Sequence, residues 1–454
     1  MPPRVCLIDL PGLSRELLSS IPADSALGKW IATQTAQPLK PSWPAVTCSV
    51  QATLTTGVGP EKHGIVANGI PTFRSAADQA LVDASNFAGY RRQISFWEQS
   101  NQFVQVPRFW QDSSGRSKFK TALLFFQHCM PGFAGEPKPS ADIVLTPKPD
   151  HGPDGKFISL CWSNPPELVP SLFKELGPFP LMNYWGPMAG INASAWIAKA
   201  AEMVWRLHQP QLQLVYVPHL DYDLQRFGPD SAQAQKAVVD VATAMEPLIN
   251  QVLAGGAKLV LLSEYSIAKV TRSIAPNRLL KEAGLLKTRQ TEDGVLIDYE
   301  NSDAVAMVDH QIAHVYLKSP ALAAEVKKVL LSPLLSPLLS QGKVEIHDRS
   351  SGLNHPRAGD LQLQAAAGTW FDYRWWTDPG EAPAFARMVD IHRKPGYDPM
   401  ELFLEPNARA ITQDASRIGG SHGACPGSEG IICGVNSNGE MTGVAGEILK
   451  LLGE

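Results

Sequence analysis

The chain has little that would assign it to a class by composition alone. Its six cysteines (Cys6, Cys48, Cys129, Cys161, Cys425, Cys433) stand singly with no C-x-x-C pair, which argues against a disulfide framework and a structural zinc knuckle. Charge is sparse, at 19% of residues, and the net value of −4 with a pI near 6.3 leaves no footprint for a nucleic acid polymer or an anionic membrane. No apolar run approaches the ~20 residues of a membrane helix. The first residues, MPPRVCLIDL, lead straight into a strand pattern without the three regions of a signal peptide, so a cytoplasmic location is expected. There is no repeat of ~20–50 residues and no low-complexity tract. A local tandem, LLSPLLSPLLS at Leu330–Ser340, reads as a Pro-punctuated surface turn.

What is present is enough for a large core. The 454 residues are 44% apolar, as in an ordinary globular protein. The 37 prolines and 36 glycines suggest long ordered loops. Short β-rich runs alternate with helical patterns, which favours a mainly parallel sheet flanked by helices. The expected strands are Val5–Asp9, Thr121–Phe126, Ile143–Thr146, Leu212–Val217, Leu259–Ser263, Ile312–Leu317 and Ile431–Val435. The expected helices are Ser14–Ser20, Cys48–Thr55, Ala193–His208, Ala232–Leu253, Ala321–Leu331 and Gly443–Leu452. Two aromatic-rich stretches, roughly Phe73–Met188 and Leu285–Arg387, look inserted between core elements. The plain reading of their aromatics is packing.

The segment Pro41–Gly69, PSWPAVTCSVQATLTTGVGPEKHGIVANG, carries the chemistry. A hydroxyl, Thr47, opens an apolar helix; a Thr56-Gly57 turn follows nine residues later and Asn68 follows 21 later. Asp9 ends the apolar run VCLID, and in an open α/β sheet ligands bind outside the carboxyl ends of the strands. This layout resembles the type I phosphodiesterase/nucleotide pyrophosphatase family, a branch of the alkaline phosphatase superfamily. The resemblance covers Val5–Asn68, Leu212–Glu264 and His392–Val435. It implies one α/β/α sandwich spanning residues 1–454, with the two insertions as a cap over the site.

The resemblance also implies a role for each position. Thr47 would be the nucleophile, needing a cation or base to stabilise its alkoxide, and Asn68 would donate its amide to a phosphoryl oxygen. Metal ligands would be Asp9, Thr47, Asp221, Glu264 and His422, with His392 as a further late candidate. His63 would shape its loop, and Arg393 and Lys394 would suit an anionic substrate. Cys48 lies outside the C-x-P-S-R pattern of sulfatases.

Two departures stand out. Where the family carries D-x-x-x-H, this chain has Asp221 and Gln225; where it carries Asp-His, this chain has Glu264 and Tyr265. Residues i and i+2 of an extended chain face the same way, so His219 could lie beside Asp221 and replace the missing imidazole; the alternative is a His219 that caps its helix or faces the cap. Fewer imidazoles shift the site towards oxygen donors, which suit Mg, Mn or Ca better than Zn. One or two divalent ions, Zn or Mn/Mg, are therefore expected. The expected activity is metal-dependent hydrolysis of a small phosphorylated substrate, a phosphodiester or pyrophosphate. Phosphonate C–P cleavage, or a degenerate site that only binds a phosphometabolite, are the alternatives.

Overall fold

The computed structural model describes residues 2–82, 93–132, 139–151, 157–331, 344–405 and 407–454. Its centre is an eight-stranded sheet in the order Gln37–Leu39, Gly430–Cys433, Lys258–Leu262, Val5–Asp9, Leu212–Tyr216, Thr121–Leu124, Ile143–His151, Phe157–Asn164. The five strands from Lys258–Leu262 to Ile143–His151 run parallel. The strand Gly430–Cys433 enters antiparallel to Lys258–Leu262. The central strands VCLID and LQLVY are buried throughout, which is why they read as unbroken apolar runs rather than alternations. Their one internal amide, Gln213, is satisfied by the Ala201 carbonyl at 3.0 Å.

Helices follow the 3.6-residue period. The longest, Ala232–Ala254, starts on a Ser231 cap that accepts from Ala234 N. By length and composition alone this helix is apolar enough to cross a membrane. It instead buries Ala234, Ala237, Val238, Val241, Met245, Leu248 and Val252 in the main core and packs against the helix Ile191–His208. The helix expected at Ser14–Ser20 is a short 3-10 turn, Leu17–Ser20.

The two inserted stretches behave differently. Residues 73–188 are not purely a cap, because three of the strands of the main sheet come from them, and their Trp110, Phe125, Phe126 and Phe179 lie in the main core. The stretch 285–387 builds a separate four-stranded antiparallel sheet, Ala304–Asp309, Ile312–Leu317, Leu361–Gln364, Glu345–Asp348. That sheet has its own core, in which Phe371, Tyr373, Trp375 and Trp376 pack together. These aromatics of both stretches are core side chains, and Phe109 and Tyr184 pack half-buried against the main core. Most of the LLSPLLSPLLS tandem lies outside the described residues. All six cysteines are free thiols.

Candidate active site

Three parallel strands bring the first acidic groups together. Register pairs Asp9 with Tyr216 on one side and with Leu262 on the other, so the carboxyl ends of all three strands lie in one row. Asp9 closes its strand, Asp221 follows on the helix His219–Phe227, and Glu264 and Tyr265 follow Leu262. Asp9 and Glu264 are completely buried and their carboxyl groups face each other; among the described residues no other residue donates to either Asp9 oxygen or to Glu264 Oε2. Burial first of all pushes the Asp9 carboxyl up to about 7. Burial and then the Asp9 charge hold Glu264 well above the usual carboxylate range. The remaining Glu264 oxygen, Oε1, accepts from Gln51 Nε2 at 2.6 Å. Gln51 lies one turn beyond Thr47 on the same helix, and its own carbonyl accepts from Gln127 N at 2.7 Å.

Thr47 is the first residue of the helix Thr47–Thr56, which Gly57 ends in a left-handed conformation at φ +75°. Only glycine adopts that φ without strain. Thr47 Oγ1 lies 2.8 Å from the Tyr265 hydroxyl. The next backbone amide, Cys48 N, donates to Asn68 Oδ1 at 2.8 Å. Asn68 is in turn held by Asp309, which accepts from Asn68 N at 2.7 Å and from Asn68 Nδ2 at 3.0 Å.

The Asp221 side is more heavily bonded. Gln225, one helical turn on as its spacing predicts, donates to Asp221 Oδ2 at 2.7 Å. Tyr265 OH reaches Asp221 Oδ1 at 3.4 Å, and Tyr397 OH donates to Gln225 Oε1 at 2.5 Å. Burial raises the Asp221 carboxyl to about 7 and keeps both phenols far above their ordinary value, so Tyr265 and Tyr397 are neutral donors. Four rings meet in succession: Tyr265 stacks on His422 at 3.7 Å, His422 meets His310 at 3.9 Å with the rings tilted by 39°, and His310 stacks on Tyr397 at 3.5 Å between centroids. The two residues that depart from the family pattern, Gln225 and Tyr265, therefore belong to one closed network. Burial holds His422 and His310 neutral. His422 Nδ1 bonds the Ala45 carbonyl at 2.7 Å, so its proton sits there, and Nε2 presents a lone pair 3.8 Å from Asp221 Oδ1.

Other expected residues lie elsewhere. His219 is not beside Asp221. The segment is helical, not extended, and two helical steps turn a side chain to the far side; His219 Nε2 lies 4.0 Å from Asp223 and 3.9 Å from Asp240 instead. Lys394 is buried and saturated by Asp398, Glu401 and the Met388 carbonyl, and Arg393 pairs with Asp390, so neither is the substrate-facing cation expected. His392 is half-buried, with Nδ1 3.4 Å from the Phe96 carbonyl. His63 does shape its loop, bonding Thr53 Oγ1 at 3.0 Å and Ile65 N at 3.1 Å.

Sequence reasoning missed Gln51, Asp309, His310 and Tyr397. Gln51 carried a usable signal, its position one turn from Thr47. Asp309 and His310 sit at a hairpin tip within an insertion, where nothing local marks them.

Among the described residues, no group of three or more His, Cys, Asp or Glu side chains is placed to hold a metal ion. Two pairs nonetheless suit a divalent cation. Asp9 and Glu264 turn buried carboxyl oxygens to each other, and His422 Nε2, which has no partner among the described residues, lies 3.8 Å from Asp221 Oδ1, which takes only the long 3.4 Å contact of Tyr265. Weakly compensated acceptors gathered in a buried place are the situation a cation relieves. A histidine whose other nitrogen is fixed on a carbonyl is the usual ligand arrangement.

Comparison with known proteins identifies the family and the fold. The sequence matches no curated protein. Among solved structures, the fold is shared with murine ectonucleotide pyrophosphatase/phosphodiesterase 5, at 12% identity and a TM-score of 0.57 over 99% of this chain and 95% of that one. The human form aligns at 13% identity and 0.57, over 99% and 95%. Phosphonoacetate hydrolase from Sinorhizobium meliloti 1021, in complex with phosphonoformate, aligns at 14% identity and 0.58, over 100% and 96%. At such identities the likeness is one of fold. The sequence model of the family described as type I phosphodiesterase/nucleotide pyrophosphatase matches residues 5–398, from the first strand of the sheet to beyond Tyr397. The chain belongs to the type I phosphodiesterase/nucleotide pyrophosphatase family, within the alkaline phosphatase superfamily.

Proposed function

We propose that this protein hydrolyses a phosphodiester or pyrophosphate bond of a small substrate, with Thr47 as nucleophile. The observation that carries the reading is the placement of Thr47. Its hydroxyl opens a buried helix, beside a backbone N–H held by Asn68 and 2.8 Å from a neutral phenol. A helix N-terminus favours a phosphate, and a threonine with no role in attack has little reason to be so oriented.

Thr47 Oγ1 attacks phosphorus and the P–O bond to the leaving group breaks, giving phosphothreonine, which water then hydrolyses. The hydroxyl proton has a path through Tyr265, whose own O–H points to Asp221 Oδ1. Asn68 turns an amide N–H to a phosphoryl oxygen as charge develops. Asp9 with Glu264, and Asp221 with His422, are the residues that would hold divalent ions. Such ions supply Lewis-acid stabilisation of the phosphoryl and alkoxide oxygens. The carboxylate-rich donor set favours Mg or Mn over Zn.

A second reading, binding without turnover, is favoured by the Gln225 amide that occupies Asp221 Oδ2. Hydrolysis of bis-p-nitrophenyl phosphate with Mg, Mn and Zn, alongside metal content by mass spectrometry, separates the two. Turnover that disappears in Thr47→Ala at unchanged metal content supports hydrolysis. No turnover with any ion sinks it.

A further inference from the structure

The cap reaches the reacting centre through one hairpin. Strands Ala304–Asp309 and Ile312–Leu317 pair antiparallel and close on His310 and Gln311, with His310 at φ +57°. The tip is pinned on two sides, by Phe371 N to the His310 carbonyl at 2.7 Å and by Gln311 N to the His422 carbonyl at 2.9 Å. From it the fully buried Asp309 accepts from both the backbone and the side chain of Asn68, and His310 Nδ1 lies 2.7 Å from Asp309 Oδ1.

The bonding pattern has a definite polarity. Cys48 N–H is a donor and fixes Asn68 Oδ1 as the acceptor end of the amide. Asp309 faces two donors, Asn68 N and Nδ2, and only a carboxylate offers an acceptor to each. One of the two Nδ2 hydrogens is used by Asp309, and the second has no acceptor among the described residues. That second N–H is available to a phosphoryl oxygen only while the amide stands this way round.

We propose that Asp309 is the positioning residue for Asn68: the cap carboxylate sets the orientation of the Asn68 amide beside Thr47, and so makes the inserted sheet part of the phosphoryl site. The inference rests on the hydrolase reading, in which Asn68 contacts the phosphoryl group. Asp309→Asn keeps shape and volume but presents an N–H₂ where an acceptor is needed. Its one carbonyl cannot serve both donors: either the Asn68 side-chain amide inverts or leaves its place, or the Asn68 backbone N–H loses its acceptor and the segment carrying Asn68 shifts.

The test uses Asp309→Asn, the exchange pair Asn68→Asp/Asp309→Asn, and two readouts. These are hydrolysis of bis-p-nitrophenyl phosphate and orthovanadate binding by titration calorimetry, with Mn present throughout. Asp309→Asn is expected to lower kcat by roughly 10²-fold, as loss of an oxyanion donor does. It should weaken orthovanadate by about tenfold, a factor of ~1.4 kcal/mol. The exchange pair restores the hydrogen bonds among positions 48, 68 and 309. Its carboxylate, now at position 68, accepts from Cys48 N and from the side-chain amide now at position 309. The carbonyl oxygen of that amide accepts from the backbone N–H of position 68. The pair carries no side-chain N–H for the phosphoryl group, so it should recover Tm without recovering kcat.

An active wild type with Asp309→Asn unchanged in both readouts overturns the inference. So does an exchange pair that regains kcat together with Tm, because that pair has no side-chain N–H at position 68 left to orient. A wild type that binds orthovanadate without turnover overturns hydrolysis, and weakened binding in Asp309→Asn then still upholds the positioning role. Neither turnover nor binding overturns both.

Discussion

Tyr265 places its hydroxyl 2.8 Å from Thr47 Oγ1 while its ring stacks on His422 at 3.7 Å. In the family pattern a histidine stands at this position, so a residue expected as a metal ligand is replaced by a direct partner of Thr47. The phenol stays protonated because burial and the nearby Asp221 and Glu264 charges oppose its ionisation. As a neutral hydroxyl it has one proton to give, to Asp221 Oδ1 at 3.4 Å or to Thr47 Oγ1 at 2.8 Å, and giving it to Asp221 leaves it free to accept from Thr47.

Tyr265→Phe removes that hydroxyl and keeps the ring stack. The expected result is a fall in kcat of roughly 10²-fold, the lower range for loss of a proton-transfer partner. KM should change by less than about twofold, because no binding contact is lost. Steady-state kinetics on bis-p-nitrophenyl phosphate decide it, and an unchanged kcat refutes the partnership.

Burial pushes the Asp9 carboxyl up to about 7 in the folded protein, against about 4 in an unfolded chain. A carboxyl raised on folding stabilises most below its unfolded value, and that contribution is lost as pH rises through the folded one. Buried neutral histidines such as His63, His128 and His422 act in the opposite sense at acid pH, so the comparison is made against Asp9→Asn, where they cancel. With divalent ions chelated, wild type should lose stability relative to Asp9→Asn between about pH 4 and pH 7. The loss should be a few kcal/mol, at about 1.4 kcal/mol per tenfold change in proton affinity. Urea midpoints at a series of pH values give the sign, and a gain in that window contradicts it.

A divalent ion binding Asp9 and Glu264 must displace their proton, so its effect grows with pH. Manganese at 100 times its dissociation constant is expected to add about 2.7 kcal/mol of stability. The rise in Tm should be greater near pH 8 than near pH 6. Asp9→Asn should remove most of it. Thermal melts with and without a chelator read this directly.

Lys394 joins two buried carboxylates, Asp398 and Glu401. Lys394→Met leaves both unpaired, and loss of a buried partner destabilises by about 3–5 kcal/mol. Because Lys394 is committed inside the fold, KM of the folded variant should stay within about twofold of wild type. A large rise in KM without loss of stability would return Lys394 to the role of substrate contact.

What the sequence makes legible depends on distance along the chain. The strand Val5–Asp9, the helix opening at Thr47, the turn from Asp221 to Gln225 and the loop shaped by His63 were all legible. Each depends on a periodicity or turn chemistry written within a few residues. The sheet direction was legible too, since unbroken apolar runs alternating with helices leave few arrangements.

His219 shows where the reading failed, because a period of 2 and a period of 3.6 place the same residue on different sides. Lys394 failed for another reason: a cation beside a candidate histidine looks available until its two carboxylates are seen. Asp309 lies 241 residues from Asn68, yet both its oxygens close on that asparagine. By itself the sequence determined the family, the candidate nucleophile and the acidic strand ends, through local pattern and order. Only the tertiary structure decided that Gln225 and Tyr265 are tied to Tyr397, His310 and Asp309. Contacts over such separations follow from how the cap sheet docks on the main sheet, and no short stretch of chain encodes that docking.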